Sequence, residues 1–230
     1  MDAAEIFDRR QILVLNFGVK VTKARRAIRN GREYLVAPAT IIVPQVLEGS
    51  KGKLFYPAEE CRNSTPDWNG MPLVLFHPLA GDGSNVSAHK SDGSLDPNVW
   101  NNQGLGFIAE SSMNGKLGAN AWFDLALLRD PLRPYREERE QIYHNLTNGI
   151  PTELSTGLYT DNERALPGAN YKGQAFDYIA RNYRPDHLAV LIGQIGACSV
   201  NDGCGIGVVA NRKVGSNGCT CNGKKPKCPT

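Results

Sequence analysis

Residues 71–78 read MPLVLFHP. The first six are apolar without a break, a length that suits a fully buried strand better than a helix. The run stops at His77-Pro78, so the strand leaves the core with an imidazole at its C-terminal end.

Further strands are expected on both sides of it. Residues 33–44, EYLVAPATIIVP, are rich in β-branched and aromatic side chains and broken by proline, and read as one or two strands. Short strands are expected at 11–17 and 54–56, a basic helix at 20–30, and a short helix from Pro57, with acids in its first turn. Residues 79–103 are dominated by Gly, Asp, Ser and Asn and read as a long loop, a length that is usually functional or flexible. Residues 105–111 and 117–127 read as a hairpin around Asn114-Gly115. The best helix covers 133–148, with Pro134 near its start, Glu137, Glu138 and Glu140 early, His144 late and Gly149 after it. A strand-like piece at 153–160 precedes a polar turn at 161–173. Two more strands, 176–182 and 187–192, flank Arg184-Pro185-Asp186. No internal repeat is apparent, and the pattern is mainly β, with seven or more strands and one long helix.

Composition agrees. In 230 residues, 41% apolar and 21% charged, there is enough material for one real core, which excludes a disordered chain and a stapled mini-protein. The 24 Gly and 14 Pro favour a turn-rich fold over a helical bundle. The net charge of +3 hides a division. Residues 20–32 hold six basic and no acidic side chains, and residues 211–230 hold five and none; residues 34–210 hold 13 basic and 19 acidic, a balance of −6. We therefore expect a basic segment at 1–33, a folded domain at 34–210 and a flexible basic tail at 211–230 that carries Cys219, Cys221 and Cys228.

No stretch approaches the roughly 20 apolar residues of a membrane helix, and the N-terminus lacks the order of a signal peptide. With cytoplasmic synthesis as the expectation, the six cysteines are not read as a disulfide framework. The tail cysteines, even with Cys198 and Cys204, lack the paired spacing of a zinc ribbon, so neither metal nor other cofactor is expected. Phosphate-cradling glycine motifs are missing too.

Of the four histidines, His77, His89, His144 and His187, the first ends a strand and the last begins one. Ser155 sits in another short strand after Gly149-Ile150-Pro151. A hydroxyl nucleophile needs a base in reach and a group to orient that base, and these three residues supply both.

Four stretches in order carry a resemblance: GMPLVLFHP (70–78), GLGFIAES (104–111), PTELSTGLYTD (151–161) and RNYRPDHLAVLIGQIGACSV (181–200). Together they resemble the caudovirus prohead (capsid maturation) protease superfamily, which includes the herpesvirus assemblins. The resemblance implies a closed, mostly antiparallel β-barrel of about seven strands flanked by helices, active as a homodimer. It implies Ser155 as nucleophile, His77 as general base and His187 as the third member. Asp186 is an alternative orienter, ranked lower because a neighbour on an extended chain points the opposite way. Relatives often carry Gly-Arg where this chain has Gly193-Gln194; Gln194 keeps a donor for an oxyanion but brings no charge, and backbone N–H groups near Gly157 or Gly196 are the alternatives. The implied activity is a serine endopeptidase acting on scaffold and capsid precursor proteins, and on itself, in the host cytoplasm inside the assembling prohead. The competing expectation is a catalytically silent assembly protein with the same fold. The basic flanks alone suggest no specific nucleic acid, only salt-dependent, sequence-independent binding.

Overall fold

The computed structural model describes residues 20–49 and 52–209. The strand expected at 11–17 and the tail at 211–230, with its three cysteines, lie outside the described residues.

The strands run β1 (Lys20–Val21), β2 (Arg25–Arg29), β3 (Arg32–Ile42), β4 (Val46–Gly49), β5 (Gly52–Phe55), β6 (Pro72–Leu75), β7 (Gly104–Met113), β8 (Leu117–Asp124), β9 (Glu153–Arg164), β10 (Asn170–Tyr171), β11 (Gln174–Ala175), β12 (Tyr178–Leu191), β13 (Gly205–Ile206) and β14 (Val208–Val209). The helices are α1 (Ala58–Asn63), α2 (Pro97–Gln103), α3 (Leu125–Leu128) and α4 (Arg136–Asn148), with a 3-10 turn at Thr65–Trp68.

Ten strands form one sheet, in the order β13-β3-β8-β7-β6-β12-β5-β4, with β2 on β3 and β9 on β12. This corrects the closed, seven-stranded barrel: the sheet is open and mixed. The pairings of β12 with β5 and with β6 are parallel, and the other ladders are antiparallel. Thr152, just before β9, and Ile206 of β13 form a single isolated bridge, which is not a ladder.

The expected basic helix at 20–30 is also corrected. Asn30 and Gly31 both adopt positive φ, 50° and 72°, and turn β2 back onto β3 as a hairpin. An Asn-Gly pair prefers this turn, and the hairpin ladder it closes outweighs the preference of an Arg-rich run for helix. The predicted hairpin at Asn114-Gly115 appears as β7–β8. The predicted helix appears as α4, stopped by Gly149 in the left-handed conformation.

The expected strands 176–182 and 187–192 are a single 14-residue strand, β12. It runs unbroken past Pro185 because two irregularities against β9, one between Arg181 and Arg184 and one between Pro185 and His187, absorb the mismatch. The loop at 79–103 is partly ordered as well. It holds α2 and two small hairpins bridged at Leu79–Asn85 and His89–Leu95. Each hairpin turns on Asp-Gly-Ser, with the Asp side chain accepting from the Ser N–H at 2.9 Å. The ten-residue repeat of this turn escapes a sequence reading because only three residues recur.

β6 is buried on both sides: Leu73, Val74 and Leu75 are all 0% exposed. Leu73 and Leu75 join Leu188 and Val190 of β12, Leu154 of β9, and Ile142 and Leu146 of α4 in the main core. Val74 joins Ala189 and Leu191 on the other face, with Phe76 and Val99 packed against them. The candidate residues gather on that second face.

Candidate functional site

His77 and His187 come from strands that run parallel in register Leu75↔Val190. Had β6 continued straight, five residues of offset would separate the two, roughly 16 Å at 3.3 Å per residue. Phe76 prevents this. It adopts φ 60°, a left-handed conformation unusual for a bulky residue, and redirects the chain so that His77 returns to His187. His77 Nδ1 and His187 Nε2 lie 2.8 Å apart, with the rings edge to face.

His187 is 4% exposed and Asp186 6% exposed. Asp186 Oδ2 lies 2.6 Å from His187 Nδ1. The expectation that Asp186 points away from His187 is therefore corrected. Pro185 pairs with Leu158 and His187 with Gly157, so Asp186 is the extra residue of a β-bulge. A bulge breaks the two-residue alternation and re-aims the side chain.

Asp186 has further partners, which the sequence reading missed. Ser87 Oγ donates to Oδ1, the Ala88 N–H donates to Oδ2 at 2.8 Å, and His89 Nδ1 stands 3.2 Å from Oδ1. Residues 87–89 lie between the two Asp-Gly-Ser hairpins, which hold them over Asp186. The remaining histidine, His144, is bonded to Asn148 within α4 and does not join this group.

Gly157 faces His187 across β9–β12, and Ser155 faces Ala189 on the same strand pair. Directly opposed residues share a face, so Ser155 and Gly157 lie on the face of His187 and Ala189, with Ser155 diagonal to His187. The His187 ring occupies the space that a Cβ at position 157 would need. Gly157 thus makes room for the imidazole. Ser155 is half-buried, and its hydroxyl makes no hydrogen bond among the described residues.

The support residues fare unequally. Gln194 is exposed. Gly196 is buried against the Leu154 carbonyl, and its N–H points to Glu153 Oε2 at 3.4 Å, so that donor is already engaged. Glu153 also accepts from the Val200 N–H at 3.1 Å. Burial raises the Glu153 carboxyl against the opposing pull of these two N–H groups. The same segment holds a disulfide between Cys198 and Cys204, a pairing that the expectation of no disulfide framework did not include. Cys61 is a buried free thiol, pushed up to about 12 by burial.

Charge in the site is polarised. Burial, then the neighbouring His187, lowers the His77 imidazole to about 4, so it is neutral near pH 7. Burial works to raise the Asp186 carboxyl, but hydrogen bonds from His187, Ser87, Ala88 and His89 prevail and hold it well below the usual carboxylate range. The His77 ring is thus free to accept a proton at neutral pH, and its lowered value makes it a weaker base than an ordinary imidazole. Among the described residues no group of His, Cys, Asp and Glu has the arrangement of a metal site, and no helix is long and apolar enough to cross a membrane. Comparison with family models, with curated proteins and with solved structures finds no match for this chain.

Proposed function

We propose that the chain is a serine endopeptidase of the capsid-maturation type, with Ser155 as nucleophile, His77 as general base and His187 as the group that orients His77. The observation that carries this reading is the 2.8 Å approach of His77 to His187, 110 positions apart in sequence, on the face that also presents Ser155. The four stretches that resemble prohead proteases support the choice of substrate: scaffold and capsid precursor proteins, and the chain itself.

The chemistry is acyl transfer. Ser155 Oγ attacks the scissile carbonyl carbon while His77 Nε2 takes the hydroxyl proton. The tetrahedral intermediate collapses as His77 returns that proton to the leaving amine. Water, deprotonated by the same imidazole, then hydrolyses the acyl-enzyme and frees Ser155. Gln194 is the side chain nearest in sequence to the expected oxyanion donor, and its exposed position leaves it able to turn toward substrate.

One observation favours the alternative of a silent assembly protein: the Ser155 hydroxyl has no hydrogen-bond partner among the described residues. Resting enzymes often hold these contacts long and tighten them only with substrate. Co-expression with the capsid and scaffold proteins, beside Ser155→Ala, separates the two readings. Cleavage products are expected with the wild type and not with Ser155→Ala; equal product masses in both remove Ser155 as nucleophile. Absence of cleavage together with absence of fluorophosphonate labelling at Ser155 establishes the silent alternative.

A further inference from the structure

We propose that Asp186, clamped by Ser87, Ala88 and His89, is a positioning residue that sets the direction of the whole Asp186–His187–His77 chain, so that the segment between the two Asp-Gly-Ser hairpins belongs to the working site. The inference rests on the serine-hydrolase reading above only for its consequence on rate; the direction of the chain is a property of the resting protein.

Lone pairs fix the direction of the chain. A carboxylate accepts at about four positions and donates none. Asp186 faces four donors: Ser87 Oγ and His89 Nδ1 at Oδ1, the Ala88 N–H and His187 Nδ1 at Oδ2. The main-chain N–H can only donate. With Asp186 ionised, His187 must carry a proton on Nδ1, and in the neutral ring this leaves Nε2 as a lone pair. That lone pair faces His77 Nδ1 at 2.8 Å, so His77 must donate from Nδ1. Its own Nε2 is then left as a lone pair, the form a general base requires. One buried carboxylate thereby dictates the tautomer of two imidazoles in series. Neither histidine alone could do so, because an isolated His–His contact is equally satisfied with its protons reversed.

Two features place the control in residues 87–89. Asp186 reaches the ring only because it is bulged out of the β12 alternation, so its carboxylate needs an anchor beyond its own strand. Ser87 does double duty: its Oγ donates to Asp186 while accepting from the His89 N–H at 2.9 Å. Hairpin bridges at Leu79–Asn85 and His89–Leu95 hold this segment on either side.

The test is nitrogen-15 NMR of histidine-labelled, full-length protein, wild type and Asp186→Leu, with no substrate present. In the wild type, His77 and His187 are expected both as Nδ1–H tautomers. A leucine removes both acceptor oxygens, so His187 Nδ1–H loses its partner and the Nδ1–H preference of both histidines is expected to be lost. Ser87→Ala, which keeps the carboxylate, is expected to weaken the preference without abolishing it, and serves if Asp186→Leu fails to fold. Unchanged tautomers in the folded Asp186→Leu protein, or a wild type with His77 protonated on Nε2, overturn the proposal. Where cleavage is measurable, Asp186→Leu is expected to lower kcat by roughly a hundredfold or more, by analogy with loss of tautomer control in serine proteases, with little change in KM. A wild type with the expected tautomers and no hydrolase activity leaves the proton chain standing and refutes the enzyme reading instead.

Discussion

Gly157 lies directly opposite His187 in the β9–β12 ladder, and the imidazole fills the volume that any side chain at 157 would take. A single hydrogen atom at that position is what lets a buried ring reach His77.

Gly157→Ala is accordingly expected to push His187 off Gly157 and break its 2.8 Å contact with His77. The colliding atoms belong to a ring held on both nitrogens, so it cannot step aside without losing a hydrogen bond. We expect a loss of about 1–3 kcal/mol in stability, the usual cost of overpacking, measured by urea unfolding. Cleavage should fall by more than the stability loss explains. A fully active, fully stable Gly157→Ala protein contradicts the geometry.

His77 predicts a pH dependence with a definite sign. Its imidazole is lowered to about 4 in the fold, against an ordinary value near 6.5. Between those values the unfolded chain binds more protons than the native one, so the stability from the neutral, buried ring is complete above about 6.5 and is lost as pH falls through about 4. Asp186, also depressed, adds loss in the same direction below the ordinary carboxylate range. Urea midpoints at pH 7.5, 5.5 and 4 should decline in order, and His77→Gln should flatten the upper part of the decline. The acid limb of kcat/KM should lie near 4; a limb at 6.5 would show that His77 is solvated.

Arg139 predicts a large structural effect remote from the site. It is 1% exposed, and its guanidinium donates to the carbonyls of Pro134, Asn102, Gly104 and Leu127, tying α4 to the ends of α2 and α3 and to β7. Burial, and then Arg133, lowers it to about 10, still charged at neutral pH. Arg139→Met keeps much of the volume and leaves these acceptors unpaired. The expected loss is about 2–5 kcal/mol by urea unfolding, with the tautomers of His77 and His187 unchanged in the folded fraction.

The Cys198–Cys204 pair predicts a response to reductant. Closing so short a loop is worth about 2 kcal/mol in the chain-entropy model. Thermal midpoints should fall on reduction, and peptide mapping without reductant should recover the 198 and 204 peptides joined. Recovery of both as free thiols from the native protein would contradict the pairing.

Much of the fold was legible locally. The apolar run at 71–76 became β6, the Asn114-Gly115 turn joined β7 to β8, and Gly149 ended α4. Misreadings arose where strand pairing overrode single-residue preference. The Arg-rich stretch at 25–29 became an edge strand because β3 offered it a ladder, and Pro185 failed to break β12 because a bulge took up the irregularity. In the candidate site, His77, His187 and Ser155 were visible as residue types at strand ends. Ser87 and His89 were not, since nothing local marks a loop serine or histidine as the partner of a residue about 100 positions away.

Sequence alone determined that the chain is mainly β, where several of its strands and turns begin, and which three side chains could share a hydrolytic site. Those properties depend on the periodicity of apolar residues and on backbone preferences within a few residues. Tertiary structure alone decided that the sheet stays open, that Asp186 turns toward His187, and that Phe76 bends His77 back to meet it. Each of these depends on strand register, and register is settled by the whole core at once: slipping a strand by one residue exchanges its buried and exposed faces, and no short stretch holds that information.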